Sequence, residues 1–118
     1  MSHPTRGLDE VVHQRHRLGI LTVAAEVRRV EFTYLRESLD LTAGNLSRHI
    51  AVLAEAGLVE VDKGYEGKRP RTWVRITKEG RRALAAEMAA LGDLVRRHEA
   101  GPAAGAAAVP APGPPLPA

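Results

Sequence analysis

The stretch from Leu58 to Ile76 limits the architecture most. Leu58–Lys63 (LVEVDK) and Thr72–Ile76 (TWVRI) each alternate apolar and polar residues, the period of a strand with one buried face. Between them runs Gly64–Arg71 (GYEGKRPR), punctuated by glycine and proline and read as a long hairpin loop. A lone two-stranded hairpin cannot hold a core in water. The rest of the chain must therefore supply a scaffold, and its apolar spacing is helical. Val30-Glu31-Phe32 is β-prone but too short to stand alone.

Leu8–Arg29 reads as a helix, with Leu18, Leu21 and Ala25 at spacings of three and four and Gly19 marking close packing. Thr33 is the predicted N-cap of a brief helix through Leu39, and Asp40-Leu41 a turn. Thr42 caps the next helix, which runs to about Ala56 and stops at Gly57, a residue suited to a left-handed C-cap. Thr77 caps the last helix, with Glu79 in its first turn and Arg96, Arg97 and His98 in its last, each favourable to the helix dipole. The predicted fold is mainly α with a small β-hairpin: a winged helix-turn-helix with a C-terminal dimerisation helix. With 118 residues there is room for one domain, placed at 8–98. Residues 1–7 are expected to be disordered, as is the tail 99–118. Of the 19 residues from Ala100, 17 are Ala, Pro or Gly and none is charged.

The absence of cysteine excludes disulfides and thiolate metal sites. No apolar run approaches the roughly 20 residues that span a bilayer, and the N-terminus lacks the apolar core of a signal peptide. A cytoplasmic protein without membrane contact is expected. Its net charge of +3 is too mild to imply a polyanionic partner by itself. The placement of charge says more. On a helical wheel, Leu46, Ile50 and Leu53 of the Thr42 helix fall in one arc and must face the core. Gly44 and Arg48 lie opposite, with Asn45 and Ser47 on the flanks. The opening TAGNLSRHI (42–50) thus joins weak helix formers to a small, polar, basic outer face. Ala43 and Gly44 would let a DNA backbone come close, and Asn45, Ser47 and Arg48 would bond base edges or phosphates. Free N–H groups beside Thr42 favour a phosphate. The plainer alternative is a solvated helix start. Against it stand Lys63, Lys68, Arg69, Arg71 and Arg75, opposed within the 13 residues 63–75 by Glu66 alone, a local charge of +4.

The run Gly44–Leu84 (GNLSRHIAVLAEAGLVEVDKGYEGKRPRTWVRITKEGRRAL) resembles short winged-helix transcriptional regulators of the MarR/ArsR-like kind. The likeness lies in the LS-x-H recognition helix leading to GLV, the basic wing and the T-x-x-G that opens a dimerising helix. It covers about Leu18–Leu91 and implies a homodimer acting on double-stranded DNA as a repressor. The resemblance puts Thr42, Gly44, Asn45, Ser47 and Arg48 in the major groove. Lys68, Arg69, Arg71 and Thr72 fall in the wing, on the minor groove or phosphates. The D-x-R of MarR wings is absent, and Pro70 stands where its arginine would fall. The cysteine-bearing metal motif of ArsR sensors is also missing.

Leu84, Met88, Leu91 and Val95 form a two-heptad seam expected to pair with its mate in a homodimer. Asp9, His13 and His16 share one face of a continuous helix. Arg15 and Arg17 beside them favour a charged surface over a metal site, and no metal or other cofactor is expected. No nucleophile, phosphate loop or paired buried acid accompanies them, so no enzyme is expected. Two alternatives differ in kind: a winged-helix protein-interaction module that ignores DNA, and a regulator answering an unknown small-molecule effector through a pocket at the dimer interface.

Overall fold

The computed structural model describes residues 4–105. After a 3₁₀ turn at Pro4–Gly7 come α1 (Glu10–His13), α2 (Arg15–Ala25), β1 (Val30–Glu31), α3 (Phe32–Ser38) and α4 (Ala43–Glu55). These are followed by β2 (Val59–Glu66), β3 (Arg69–Ile76) and α5 (Lys78–Gly105). The architecture is mainly α with a β-hairpin, in the order of a winged helix-turn-helix. The core joins Ile20, Leu21 and Ala24 of α2, Leu35 of α3, Leu46, Ile50 and Leu53 of α4, and Val74 of β3. Each fully buried Leu or Ile here contributes about 1.5–3 kcal/mol relative to exposure. Gly19 packs tightly: a methyl group there would meet Leu39 Cδ2 at 2.9 Å.

Both ends of the helix-turn-helix close by the same device. After α3, Asp40 takes φ 53° and Leu41 N donates to Arg36 O at 3.0 Å. After α4, Gly57 takes φ 79° and Leu58 N donates to Leu53 O at 2.9 Å. In each case a left-handed residue lets the next N–H reach back five residues, and aspartate is among the few non-glycine residues that tolerate this.

Several elements differ in extent or pairing from the sequence expectation. The Leu8–Arg29 helix is broken at Gln14 (ψ 129°), whose side chain caps α2 by accepting from the His16 and Arg17 N–H groups. The second short helix starts at Phe32, one residue before the expected Thr33 cap, with Glu31 as its N-cap and no capping side chain. Val30–Glu31 finds the support it lacks alone by pairing with Val74 and Trp73, so the sheet has three strands in the order β1-β3-β2. Gly64–Arg71 is not a long loop. Pairing continues to Glu66↔Arg69, leaving a two-residue turn at Gly67-Lys68 with Gly67 at φ 66°. Glycine at the first central position suits the type II′ turn that twisted hairpins prefer. Pro70 fits because β1 reaches only Trp73 and Val74, so no strand lies opposite it on that side of β3.

At the chain ends, Pro4–Gly7 packs on α5, with Gly7 facing Ala90, although residues 1–7 were expected outside the folded unit. α5 runs past His98, and Gly101 (φ 65°, ψ 178°) interrupts it. The greater part of the expected disordered tail, 106–118, and residues 1–3 lie outside the described residues.

Candidate nucleic-acid interface

α4 is anchored on one side and open on the other. Leu46 and Leu53 are fully buried and Ile50 nearly so, while Thr42, Gly44, Asn45, Ser47 and Arg48 are exposed together, as the wheel predicts. Thr42 Oγ1 accepts from Asn45 N at 3.1 Å, closing one of the free N–H groups of the first turn. A methyl group placed on Gly44 meets nothing within 4 Å among the described residues, so the glycine answers no packing need there. No ion pair holds Arg48 among the described residues.

The wing's cations divide into two sets. Arg71 bonds Glu31 at 2.7 Å and Glu66 at 3.3 Å with its side chain only 23% exposed, and it braces the base of the wing against β1. Arg75 lies 3.4 Å from Glu60 and 3.5 Å from Asp62 across the β2–β3 ladder. Lys68 and Arg69, at and beside the turn, are exposed without an ion pair among the described residues. Lys63, further down β2, is exposed without an ion pair among the described residues as well, so the free positive charge runs from Lys63 to the tip. Thr72 is half-buried opposite Lys63, away from that tip. Arg29 stacks on Trp73, its guanidinium carbon 4.0 Å from the ring centroid, and fixes the wing's root. Glu31 and Arg29 went unnoticed in the sequence because their partners lie about 40 residues away. Exposed Tyr65 near the tip was also missed; its place in an alternating strand was the available signal.

The histidines near the N-terminus part company. His13 Nδ1 bonds Glu87 Oε2 at 2.6 Å, and Asp9 N donates to Glu87 Oε1 at 3.1 Å, joining α1 to α5. His16 turns the other way, to His49 on α4, with ring centroids 5.3 Å apart. The break at Gln14 thus removes the common face on which a metal would have needed Asp9, His13 and His16.

On α5, Gly80, Glu87 and Ala90 face the domain, with Ala83 and Leu84 packed against the core. Met88 (44% exposed) and Val95 (55%) point outward, and Leu91 is half-buried. Leu84 therefore serves the internal core more than the seam. An open cleft of about 400 Å³ lies elsewhere, among Val23, Val27, Val30 and Tyr34. None of its lining residues belongs to the seam, where the effector-responsive alternative would put a pocket. No helix among the described residues is long and apolar enough to cross a membrane.

A buried-and-braced three-helix head, an exposed helix start after a tight turn, and a β-hairpin with a cationic tip define a winged helix-turn-helix. Residues 16–95 match the family model of the winged helix DNA-binding domain. The chain belongs to that family. It is 42% identical over 68 residues, 58% of this chain and 74% of the relative, to the uncharacterized protein MJ0432 of Methanocaldococcus jannaschii. The transcriptional regulator homologue of Pyrococcus horikoshii OT3 superposes with a TM-score of 0.69 at 34% identity, covering 75% of this chain and 87% of that one. A MarR-family transcriptional regulator from Rhodococcus sp. RHA1 shares the fold at 20% identity, with a TM-score of 0.65 over 84% of this chain and 69% of that one.

Proposed function

We propose that the chain is a sequence-specific transcriptional regulator that acts as a homodimeric repressor. α4 enters the major groove and the Gly67-Lys68 tip lies on the minor groove or phosphates. The observation that carries this reading is the division of cations: Arg71 and Arg75 are spent on carboxylates, while Arg48, Lys68 and Arg69 are left free on the open side. Arg48 reads a base, with Gly44 allowing close approach and Asn45 and Ser47 bonding beside it. Arg71 braces the wing instead of touching DNA. Outward-facing Met88 and Val95, seven residues apart on α5, supply the partner contact with Leu91. Pairing two heads would place their recognition helices one DNA turn apart and multiply specificity.

Binding sites selected from random DNA by the purified chain test this reading, because half-site spacing also reports the dimer geometry. Arg48→Ala is expected to cost about 1–3 kcal/mol on the selected site and relax preference at one position. Lys68→Ala should weaken all sequences alike and lower the salt slope by about 0.9. Salt-insensitive association, or none, with any duplex would refute DNA binding and favour a protein-interaction module.

A further inference from the structure

One cluster on the flank of α4 is not used by the base-reading face. Arg17 of α2 reaches across with Nη1 to His49 Nδ1 at 3.3 Å, and His16 packs its ring on His49. Arg17 is held in place by its Nε bond to Val11 O at 2.6 Å and its Nη2 bond to Glu10 O at 3.3 Å, both neutral carbonyls. Gln14 Oε1 is taken up by two backbone N–H groups, so its Nε2 donates to His16 Nδ1 at 3.3 Å. Each imidazole thus has Nδ1 occupied by a donor, which leaves Nε2–H as the donor it offers outward. Arg48, the next residue on α4, adds its charge.

Like charges and donors have been gathered here without a counter-charge among the described residues. The charged groups acting on His49 are Arg17 and His16 from α2 and Arg48 from its own helix, and neither α3 nor β2 contributes one. Burial first, and these cations second, hold His49 below the usual imidazole range. All three residues are partly open to solvent. A cluster so arranged lacks an anion, and its place beside the groove-reading face is where a DNA strand would run.

We propose that His16, Arg17 and His49 form a phosphate-gripping site on the flank of the recognition helix, which takes a backbone phosphate of bound DNA together with a proton. The proposal rests on the DNA-binding reading above. In the complex Arg17 Nη1 turns from His49 Nδ1 to the phosphate, and the freed Nδ1 takes the proton while Nε2–H donates to the anion. The phosphate supplies the missing negative charge, so His49 accepts that proton more readily than in the free protein, and binding becomes linked to pH.

Fluorescence anisotropy with the full chain and a selected duplex, at pH 8 and pH 6 and fixed ionic strength, reads this linkage. Affinity is expected to rise about threefold or more towards pH 6, against a ceiling of about tenfold per pH unit for one proton. His49→Gln keeps a neutral N–H donor but cannot titrate, so it should flatten the profile between pH 8 and pH 6. Arg17→Gln should lower the salt slope by about 0.9, or about fivefold in affinity at 0.15 M salt, for every sequence. If DNA binds in a salt-sensitive way but His49→Gln keeps the native pH profile, the proposal is overturned while the DNA reading stands. If no duplex binds in a salt-sensitive way, both fall. Replacing chloride by inorganic phosphate in an NMR titration of the His49 ring separates the two sources of the anion. If free phosphate raises the titration midpoint as far as the duplex does, the site belongs to a small anion and the proposal fails.

Discussion

Gly80 offers a severe test of how α5 is attached to the DNA-reading head. It is buried in the first turn of α5, and a methyl group there would stand 2.1 Å from Leu58 O and 2.8 Å from Ile76 Cγ1. Leu58 O already accepts from Thr77 N at 3.0 Å. Thr77 Oγ1 in turn donates to Gly57 O at 2.7 Å and accepts from Gly80 N at 2.9 Å. This knot accounts for the T-x-x-G spacing: the threonine ties α5 to the end of α4, and only a glycine fits against the carbonyl behind it. In Gly80→Ala the methyl and the oxygen must separate by about 1 Å, which breaks the Thr77–Leu58 bond. Overpacking costs about 1–3 kcal/mol, the lost bond adds about 1, and the better helix propensity of alanine returns about 1. The net expectation is a loss of about 2 kcal/mol, or roughly 10 °C in Tm for a domain near 100 residues. Thermal and urea denaturation followed by circular dichroism, at matched protein concentration, measure it. An alanine variant that is more stable than the native chain would mean α5 is not docked on Leu58 as described.

Gly44→Ala should show the opposite balance: stability rises by about 0.5–1 kcal/mol because nothing blocks the methyl group, while affinity for the selected DNA falls. Denaturation and anisotropy on one preparation check both halves. Arg71→Ala should cost about 1–2 kcal/mol of stability by leaving the half-buried Glu31 unpaired, with less effect on DNA binding than Lys68→Ala, which should leave stability unchanged. The free protein should weaken in mild acid. His49 in the folded state lies below its ordinary 6.5, so the unfolded chain takes up the proton first. Stability is then complete above about pH 6.5 and lost progressively as pH falls towards the folded value. Urea midpoints of native and His49→Gln chains across pH 8 to 5 test this, the variant being expected to show the shallower decline.

The helix-turn-helix was legible because its signals are local. The period of Leu46, Ile50 and Leu53, the Thr42 cap and the Gly57 stop all lie within one element, so pattern and structure agree there. The wing was legible in place but not in shape. Glycine and proline in GYEGKRPR read as strand breakers, yet Gly64 pairs with Arg71 in the ladder and Pro70 borders the open side of β3. Strand length depended on pairing, which no local pattern records. The same holds for charge: the sequence counts five wing cations, and only the fold shows Glu31, Glu60 and Asp62 drawing off Arg71 and Arg75. The Leu84–Val95 stripe was visible by spacing, but how it divides between core and surface was not. That division depends on α1 and the Pro4–Gly7 turn packing on the neighbouring face.

The interruption at Gln14 settles a geometric conflict. In one unbroken helix, residues 13 and 16 would point the same way; with the break, His13 locks onto α5 through Glu87 while His16 and Arg17 lock onto α4. Three residues of chain thereby set the register between the reading head and the helix that carries it. An insertion or deletion beside Gln14 would change that register directly, whereas the same change at the Gly67 turn would alter only the reach of the wing. Length, more than residue identity, is the constraint this joint imposes on the chain.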